Sequence, residues 1–286
     1  MKNKISLLIK GLIIGTVEII PGVSGGTMAL ILGIYERLII SISRIDLVFI
    51  NKLFKREVKE AWKYADCNFL LILVFGMTIA VFSMASLINY LNEYHPFFLK
   101  GFFSGLLFCS LFFKPLKLQS YNLKIFFGGV ISLTIVTLIF SFPSHSEIED
   151  ISYIYIFFGG FISVCAFILP GISGSFILLF LGIYGALISA ITQLDLLFLG
   201  TLLLGCLSGL FLFIRLLKKG FEKFRETLSG LFYFLVLMSI ALIWKDGVWS
   251  INFPNQSESL EPFLGFLFGS ILIYLLHKIS FIFQDT

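Results

Sequence analysis

Charged residues are scarce in this chain. Asp, Glu, Lys and Arg make up 13% of its 286 residues, whereas hydrophobic residues make up 58%. A soluble domain carries about a quarter charged residues, so an ordinary water-soluble core is excluded. Apolar runs long enough to cross the roughly 30 Å hydrocarbon core of a bilayer recur along the whole chain. Because these runs are long and do not alternate between apolar and polar residues, they predict membrane helices and not barrel strands.

Side chains that hold metals or carry out catalysis are also few. The four cysteines form no CxxC pair, and the three histidines share no ligand spacing. The sequence therefore predicts neither a metal site nor a cofactor. The net charge is +4, but the Lys and Arg residues are dispersed between the apolar runs and form no patch. Nucleic-acid binding is therefore not expected.

The chain contains an internal repeat. Residues 21–42 align with residues 170–191 at a constant offset of 149, and about half of the aligned positions are identical. Asp46 and Asp195 match just beyond the aligned segment. Each half has two apolar arms hinged at PGVSGGT or PGISGSF, followed by three further apolar runs. Repeats of this kind are common in secondary transporters.

The repeat predicts an all-α integral membrane protein with two inverted halves, each a Pro/Gly-hinged hairpin followed by three transmembrane helices. The hinged arms could both span, or could dip in and return, and we favour re-entrant arms. Either choice gives an odd number of crossings in each half, which inverts the second half relative to the first. The predicted segments are 1–145 for the first half (hairpin 5–42, basic loop 43–67, helices 68–142) and 146–286 for the second (hairpin 151–192, helices 196–282).

The basic residues predict an orientation. With the N-terminus inside, eighteen of the twenty-one Lys and Arg residues fall on the inner side. This distribution follows the positive-inside rule for cytoplasmic loops. We therefore expect a multi-pass membrane protein with both termini in the cytoplasm.

The two hinges are the predicted substrate site. Proline ends each first arm, the glycines permit a break, and duplicated broken helices indicate where a transporter binds its substrate. The second arms would direct free N–H groups and hydroxyls at an anion in the middle of the bilayer. The alternative is that the serines only cap helices and the glycines only allow close packing. The predicted headgroup contacts are Ser24, Gly25, Gly26, Thr27, Ser173, Gly174 and Ser175, and the predicted hinge residues are Pro21, Gly22, Pro170 and Gly171.

Two charged residues near the first hinge have no charged counterpart in the second half. Glu18 is matched by Phe167, and an ionisable group within a membrane is functional by default. We hypothesise that Glu18 takes up a proton when the phosphate leaves; the alternative is a structural carboxyl that is protonated or paired with Arg. Arg37 lies about 20 Å from Ser24 along a continuous helix. It either guides phosphate or extends its side chain to the membrane interface. The neighbouring Glu36 could neutralise its charge.

The segments EIIPGVSGGTMALILGIYERLI and ILPGISGSFILLFLGIY closely resemble the signature segments of the bacterial polyprenyl-phosphate transporters of the PopT type, formerly a domain of unknown function. The resemblance implies the return of undecaprenyl phosphate from the outer to the inner leaflet for reuse in envelope synthesis. It implies binding elements at 21–27 and 170–175. Glu18 falls where members of that family often carry Asp or Asn.

Two other functions fit part of the sequence. A secondary transporter of a small soluble anion could use the same hinges but would need a sealed pathway. A membrane lipid-phosphate phosphatase would need a nucleophilic His or a carboxylate and metal cluster, which three scattered histidines do not supply, so we expect no enzyme. The expected partners are the polyprenyl phosphate and the surrounding membrane lipids. The sequence leaves open whether the protein forms a homodimer.

Overall fold

A computed structural model of the protein describes residues 2–19, 24–120, 122–141, 151–244 and 260–284. Every regular element within these ranges is a helix. The helices are α1 (Lys2–Glu18), α2 (Gly25–Ile31), α3 (Tyr35–Ser43), α4 (Leu47–Phe54), α5 (Val58–Tyr64), α6 (Cys67–Tyr94), α7 (Pro96–Ser110), α8 (Leu123–Ser141), α9 (Tyr153–Ile168), α10 (Gly174–Phe180), α11 (Tyr184–Gln193), α12 (Leu196–Lys223), α13 (Arg225–Ile243) and α14 (Leu260–Gln284).

The predicted apolar runs form the long helices of a multi-pass membrane protein. Four helices, α6, α12, α13 and α14, are long and apolar enough to cross a bilayer. The apolar helices α7, α8 and α9 are shorter. Many large apolar side chains on these helices are exposed, as expected for residues that face lipid.

The second arm of each predicted hairpin, 5–42 and 151–192, is not one continuous helix. The axes of α2 and α3 differ by 116°, and those of α10 and α11 by 102°. Each bend contains a glycine with a left-handed backbone, Gly33 at φ +70° and Gly182 at φ +68°. Glycine adopts this conformation without the steric cost that a Cβ would add. The repeated LGIY sequence therefore encodes a second break in each half.

The predicted basic loop at 43–67 is largely helical, because it contains α4 and α5. The Asp46 side chain accepts hydrogen bonds from the amides of Val48 and Phe49 and so caps α4. Its match, Asp195, caps the long helix α12 in the same way. The first half therefore carries α4 and α5 as an insertion between the capping aspartate and its long helix.

Glycines allow the long helices to pack backbone against backbone. A Cβ on Gly11 of α1 would lie 2.5 Å from the carbonyl oxygen of Leu73 in α6, and Gly15 faces Met77 one turn further along both helices. Gly205 and Gly209 of α12 face Phe157 and Phe161 of α9 in the same register. Both contacts advance in the same direction along the two helices. The pairs α1/α6 and α9/α12 are therefore parallel.

A second kind of pair joins the two halves. Gly101 and Gly105 of α7 face Pro262 and Phe266 of α14, again in parallel. Gly129 of α8 faces Phe234 of α13. By order along the chain, α7 of the first half corresponds to α13 of the second, and α8 corresponds to α14. The α7/α14 contact and the α13/α8 contact are therefore equivalent. The two halves are thus interleaved and do not form separate bundles.

One large cavity shows which helix ends share a side. Its lining includes the start of α1, the end of α7, the start of α8, the end of α12, the start of α13 and the last turns of α14. We call this the basic side, because Lys4, Lys114 and Lys117 lie on it. Helices α1 and α6 begin at the basic side, whereas α12 ends there.

Candidate functional site

The two hinges meet inside the protein. The backbone N–H of Gly171 donates to the hydroxyl of Thr27 at 2.7 Å. The buried Tyr35 hydroxyl donates to the carbonyl of Ile168, the last residue of α9, at 2.9 Å. Ser24 adds a longer contact of 3.4 Å from its Oγ to the carbonyl of Leu169. The motifs that the sequence repeats 149 residues apart thus form one contact region.

The two hinge serines begin their helices without capping them. Ser24 and Ser173 occupy the N-cap positions of α2 and α10, but neither side chain makes a capping hydrogen bond. Both are buried, with 3% and 5% of their surface exposed. The Ser173 hydroxyl pairs instead with that of Ser175 at 2.9 Å, and Ser175 is exposed. The hydroxyls are therefore not committed to the helix ends, as the capping alternative would require.

The hinge glycines allow three close approaches. A Cβ on Gly26 would lie 2.8 Å from the carbonyl oxygen of Ile168, in the other half. A Cβ on Gly174 would lie 2.8 Å from the carbonyl oxygen of Ser163. A Cβ on Gly25 would overlap the Glu18 carboxyl group. Separations under 3.0 Å force a shift in the neighbour, so these glycines fix how the arms pack.

The hinge residues themselves are partly described. Pro21 and Gly22 lie outside the described residues. In the second half Pro170 is buried, and Gly171 has a left-handed backbone with φ +91°. A Cβ on Gly171 would also lie 2.7 Å from the carbonyl oxygen of Leu235 in α13. Glycine is therefore required at this hinge for both its conformation and its packing.

Glu18 lies at the tip of α1 and is half-buried, and its Oε2 atom is fully buried. Its Oε2 has no hydrogen-bond partner among the described residues, although the backbone amide of Gly25 lies close to the carboxyl group. None of the described cations forms an ion pair with it, so the Arg-paired alternative finds no support there. In the second half Phe167 takes the matching place against Gly174. An uncompensated carboxyl in such a place favours protonation or an incoming donor.

Arg37 lies away from the hinges. Its guanidinium pairs with Asp66 at 2.7 Å and lies 4.3 Å from the ring centre of Phe69, at the start of α6. The expected distance along a straight helix does not apply, because the chain bends between α2 and α3. Glu36 does not pair with its neighbour either: it forms an ion pair with Arg225 of the second half. The expectation that Glu36 neutralises Arg37 was therefore wrong.

The large cavity has a volume of about 1740 Å³ and lies between the two halves on the basic side. Its walls include apolar side chains of α1, α13 and α14 and the segment 112–120. The bend between α2 and α3 and the buried Tyr35 lie at its inner end. The hinge serines do not line it. Tyr35 and its bond to Ile168 thus stand between the cavity and the hinges.

Sequence reasoning missed two residues of this region. Lys10 was one of the basic residues assigned to the inner side and was given no other role, yet its ammonium donates to the carbonyl of Leu32 at 2.9 Å and lines the cavity. Tyr35 lies in the repeated segment 21–42 and was given no role of its own. A lysine within an apolar run and a tyrosine repeated after the bend glycine were the signals available. In the part of the chain that the structure describes, no three His, Cys, Asp or Glu side chains gather as a metal ion requires.

Comparison with known proteins identifies the family. Residues 14–259 match the profile of a family described as undecaprenyl phosphate translocase-like. The chain belongs to this family. A polyprenyl-phosphate transporter of Vibrio cholerae serotype O1 is 32% identical over 273 residues, which cover 91% of this chain and 87% of that protein.

A second relative supports the same assignment. A polyprenyl-phosphate transporter of Staphylococcus aureus is 33% identical over 199 residues, covering 65% of each chain. The comparison with solved structures found no match. The predicted resemblance to polyprenyl-phosphate transporters is thus confirmed, and this translocase-like chain is a membrane transport protein for a lipid phosphate.

Proposed function

We propose that this protein returns undecaprenyl phosphate from the outer to the inner leaflet of the bacterial inner membrane, for reuse in cell-envelope synthesis. The basic side is then cytoplasmic and holds both termini. The two halves act as an inverted repeat, and their hairpins are re-entrant. The observation that carries the proposal is the direct contact between the two hinges at the closed end of a cavity with basic residues in its walls.

The hinges are the proposed headgroup site. Ser24, Thr27, Ser173 and Ser175 supply hydroxyl groups, and Gly25, Gly26 and Gly174 let phosphate oxygens approach the main chain. In the described conformation this site is closed, because Tyr35 bonds to Ile168 and Thr27 bonds to Gly171. Substrate binding therefore requires these contacts to separate. Arg37, paired with Asp66 at the basic side, would act on a phosphate only as it approaches or leaves.

The serines provide the test of the site. Hydrogen bonds to a charged group contribute about 1.5–3 kcal/mol each, so Ser24→Ala with Ser173→Ala should slow transport by about tenfold or more. Ser132→Ala is the matched control, because Ser132 is equally buried but lies in α8. The measurement is reconstitution into liposomes with a leaflet-specific assay for undecaprenyl phosphate. Equal rates in wild type and double variant would remove the site assignment.

The same liposomes separate the other functions. A soluble-anion transporter would exchange labelled inorganic phosphate across the membrane and leave the lipid in its leaflet. A phosphatase would release inorganic phosphate from the lipid. Movement of the lipid without either reaction is the expected result. No lipid movement by the wild type would overturn the proposed function.

Glu18 is the proposed proton-coupling residue. Its buried, unpartnered oxygen supports a carboxyl that takes up a proton as the phosphate leaves. Transport by the wild type should then change between about pH 5 and 8, and Glu18→Gln should remove that change. Glu226→Gln is the control, because this carboxyl lines the cavity in an ion pair with Lys124. A flat profile that Glu18→Gln leaves unchanged would end the hypothesis.

A further inference from the structure

The cavity on the basic side contains a cation without an anionic partner. Lys10 lies in α1, two turns before Glu18, and its side chain is half-buried. Its ammonium lines the large cavity and also a smaller one of about 350 Å³ beside Arg37 and Asp66. Among the described residues no carboxylate lies within 4.0 Å of it. A lysine held this way within an apolar helix is costly unless an anion joins it.

The hydrogen bonds of Lys10 leave room for a ligand. An ammonium group has three N–H donors, and the structure uses one of them, on the carbonyl of Leu32 that ends α2. This contact fixes the side chain toward the inner end of the cavity. Two donors remain for the oxygens of an anion.

The other charges of the cavity do not compete for that anion. Arg225 is paired with Glu36, and Glu226 is paired with Lys124. Lys114 and Lys117 also line the cavity but are exposed. Four cations and two carboxylates line the cavity, so its charge is positive. Both carboxylates are already compensated.

The walls and the size of the cavity indicate the class of ligand. Ile5, Ile9 and Ile13 extend along the same face of α1 as Lys10, and Phe113 and Leu276 face them. The volume of about 1740 Å³ exceeds what a phosphate group alone would fill. A cation at the inner end and apolar walls toward the opening suit an anionic head on an apolar chain.

The second half has no equivalent of this residue. Gly159 matches Lys10 at the offset of the repeat, and a Cβ there would overlap the Ile183 side chain. In that half the Tyr155 hydroxyl donates to the carbonyl of Leu181, the match of Leu32. The place that Lys10 takes in the first half thus carries no cation at the matched position of the second half.

We propose that Lys10 binds a phosphate monoester carried on an apolar chain, at the inner end of the cavity on the basic side. This site is distinct from the hinges, because Lys10 precedes Glu18, at the hinge end of α1, by about 12 Å along the helix. It rests on the proposed function for the identity of the natural ligand. It gives the headgroup a binding position on the basic side next to the contacts that close the hinges.

The test is protection of a cavity cysteine. Ser229 is exposed and lines the cavity, so Ser229→Cys in a background without the four native cysteines reports occupancy by its rate of thiol labelling. The probes are farnesyl phosphate, farnesol and inorganic phosphate. We expect farnesyl phosphate to slow labelling at least fivefold and the other two to have little effect. Lys10→Gln should raise the farnesyl phosphate concentration needed by about tenfold or more, because a hydrogen-bonded charge is lost.

The controls distinguish a defined site from general attraction. Lys117→Gln removes the same charge from the exposed wall and should change the required concentration less than threefold. Lys10→Arg keeps the charge and should retain most of the protection. Melting curves of each variant show that it is folded. Equal loss in Lys10→Gln and Lys117→Gln, or protection by inorganic phosphate equal to that by farnesyl phosphate, would overturn the proposal.

The two assays distinguish failure of the Lys10 site from failure of the proposed transport function. Absence of protection in a wild type that still moves undecaprenyl phosphate would overturn the Lys10 site and leave the proposed function standing. Protection that depends on Lys10, in a protein that moves no lipid, would support the site and overturn the function.

Discussion

The two hairpins have matching sequences but different surroundings. Tyr35 is 2% exposed and its match Tyr184 is 37% exposed. Ile39 is 1% exposed, whereas Ile188 is 45% exposed. The difference follows from what covers each bent arm. The Tyr35 ring packs against Phe221 and Phe232, with ring centres 6.1 and 5.4 Å apart.

Identical residues therefore tolerate two environments. The burial of this face is therefore not fixed by the repeated motif and depends on the residues that cover it. A transporter with inverted halves can move its opening from one side to the other if the two halves exchange such conformations. In the present structure the face of α3 that carries Tyr35 and Ile39 is closely packed, whereas the matching face of α11 is more exposed.

The largest expected effect comes from making the first hinge like the second. Gly26 is matched by the exposed Ser175. In Gly26→Ser the new Cβ would lie 2.8 Å from the Ile168 carbonyl, which cannot move without shifting the end of α9. We expect a loss of about 1–3 kcal/mol in the free energy of unfolding and a transport rate at least tenfold lower. Unfolding in detergent and the liposome assay measure the two effects.

The reverse change is the control for that comparison. Ser175→Gly removes a Cβ from an exposed position, so we expect a change of no more than about 1 kcal/mol in stability. If both substitutions had the same effect, the two hinges would not differ in the way the structure indicates.

The repeated tyrosines should differ by a smaller amount. Tyr35→Phe removes the hydroxyl that bonds to Ile168 and leaves a buried carbonyl unpaired, at a cost of about 1–3 kcal/mol. Tyr184→Phe alters a partly exposed residue, and we expect a change within about 0.5 kcal/mol. Urea unfolding of the two variants in the same detergent gives the comparison. A larger loss for Tyr184→Phe would mean that the protein in solution favours the opposite arrangement.

The smallest effect should come from the matched capping aspartates. Asp195→Ala should lower global stability by about 1 kcal/mol, because Asp195 caps the long helix α12. Asp46→Ala should lower stability only locally, in α4 and in its contact with α5, because α4 is an eight-residue helix with no buried residue and Asp46 also accepts a hydrogen bond from Tyr64. Hydrogen exchange of the α4 amides and of the α12 amides separates local from global loss. Asparagine at either position should restore the cap.

Much of the architecture follows from the sequence because its signals are strong and local. Long apolar runs predicted the membrane helices, and the offset of 149 matched two segments that each bend at a glycine. In the structure Thr27 of the first hinge motif is in contact with Gly171 of the second. The second break was not recognised, because Gly33 and Gly182 stand inside apolar runs that look continuous until the left-handed backbone is seen.

Contacts between distant segments could not be predicted. The partners of Arg37 and Glu36 come from α6 and α13, and nothing in the local sequence specifies them. The role of Lys10 depends on where α2 ends, which in turn depends on the missed bend. The segment at 43–67 was predicted to be a loop because of its many charged residues, although it contains two short helices. In each case the outcome depends on tertiary packing between segments, which the periodicity of the local sequence does not reveal.

The glycine-packed pairs have a mechanical consequence. Where two backbones touch, as at Gly11 with Gly76 and Gly205 with Phe157, neither helix can slide or rotate without steric overlap, so each pair must shift as a rigid body. Movement of one pair against another then has to be taken up in the connections between helices, such as those at 32–34 and 181–183. Stiffening such a connection should slow transport more than it changes the stability of the fold.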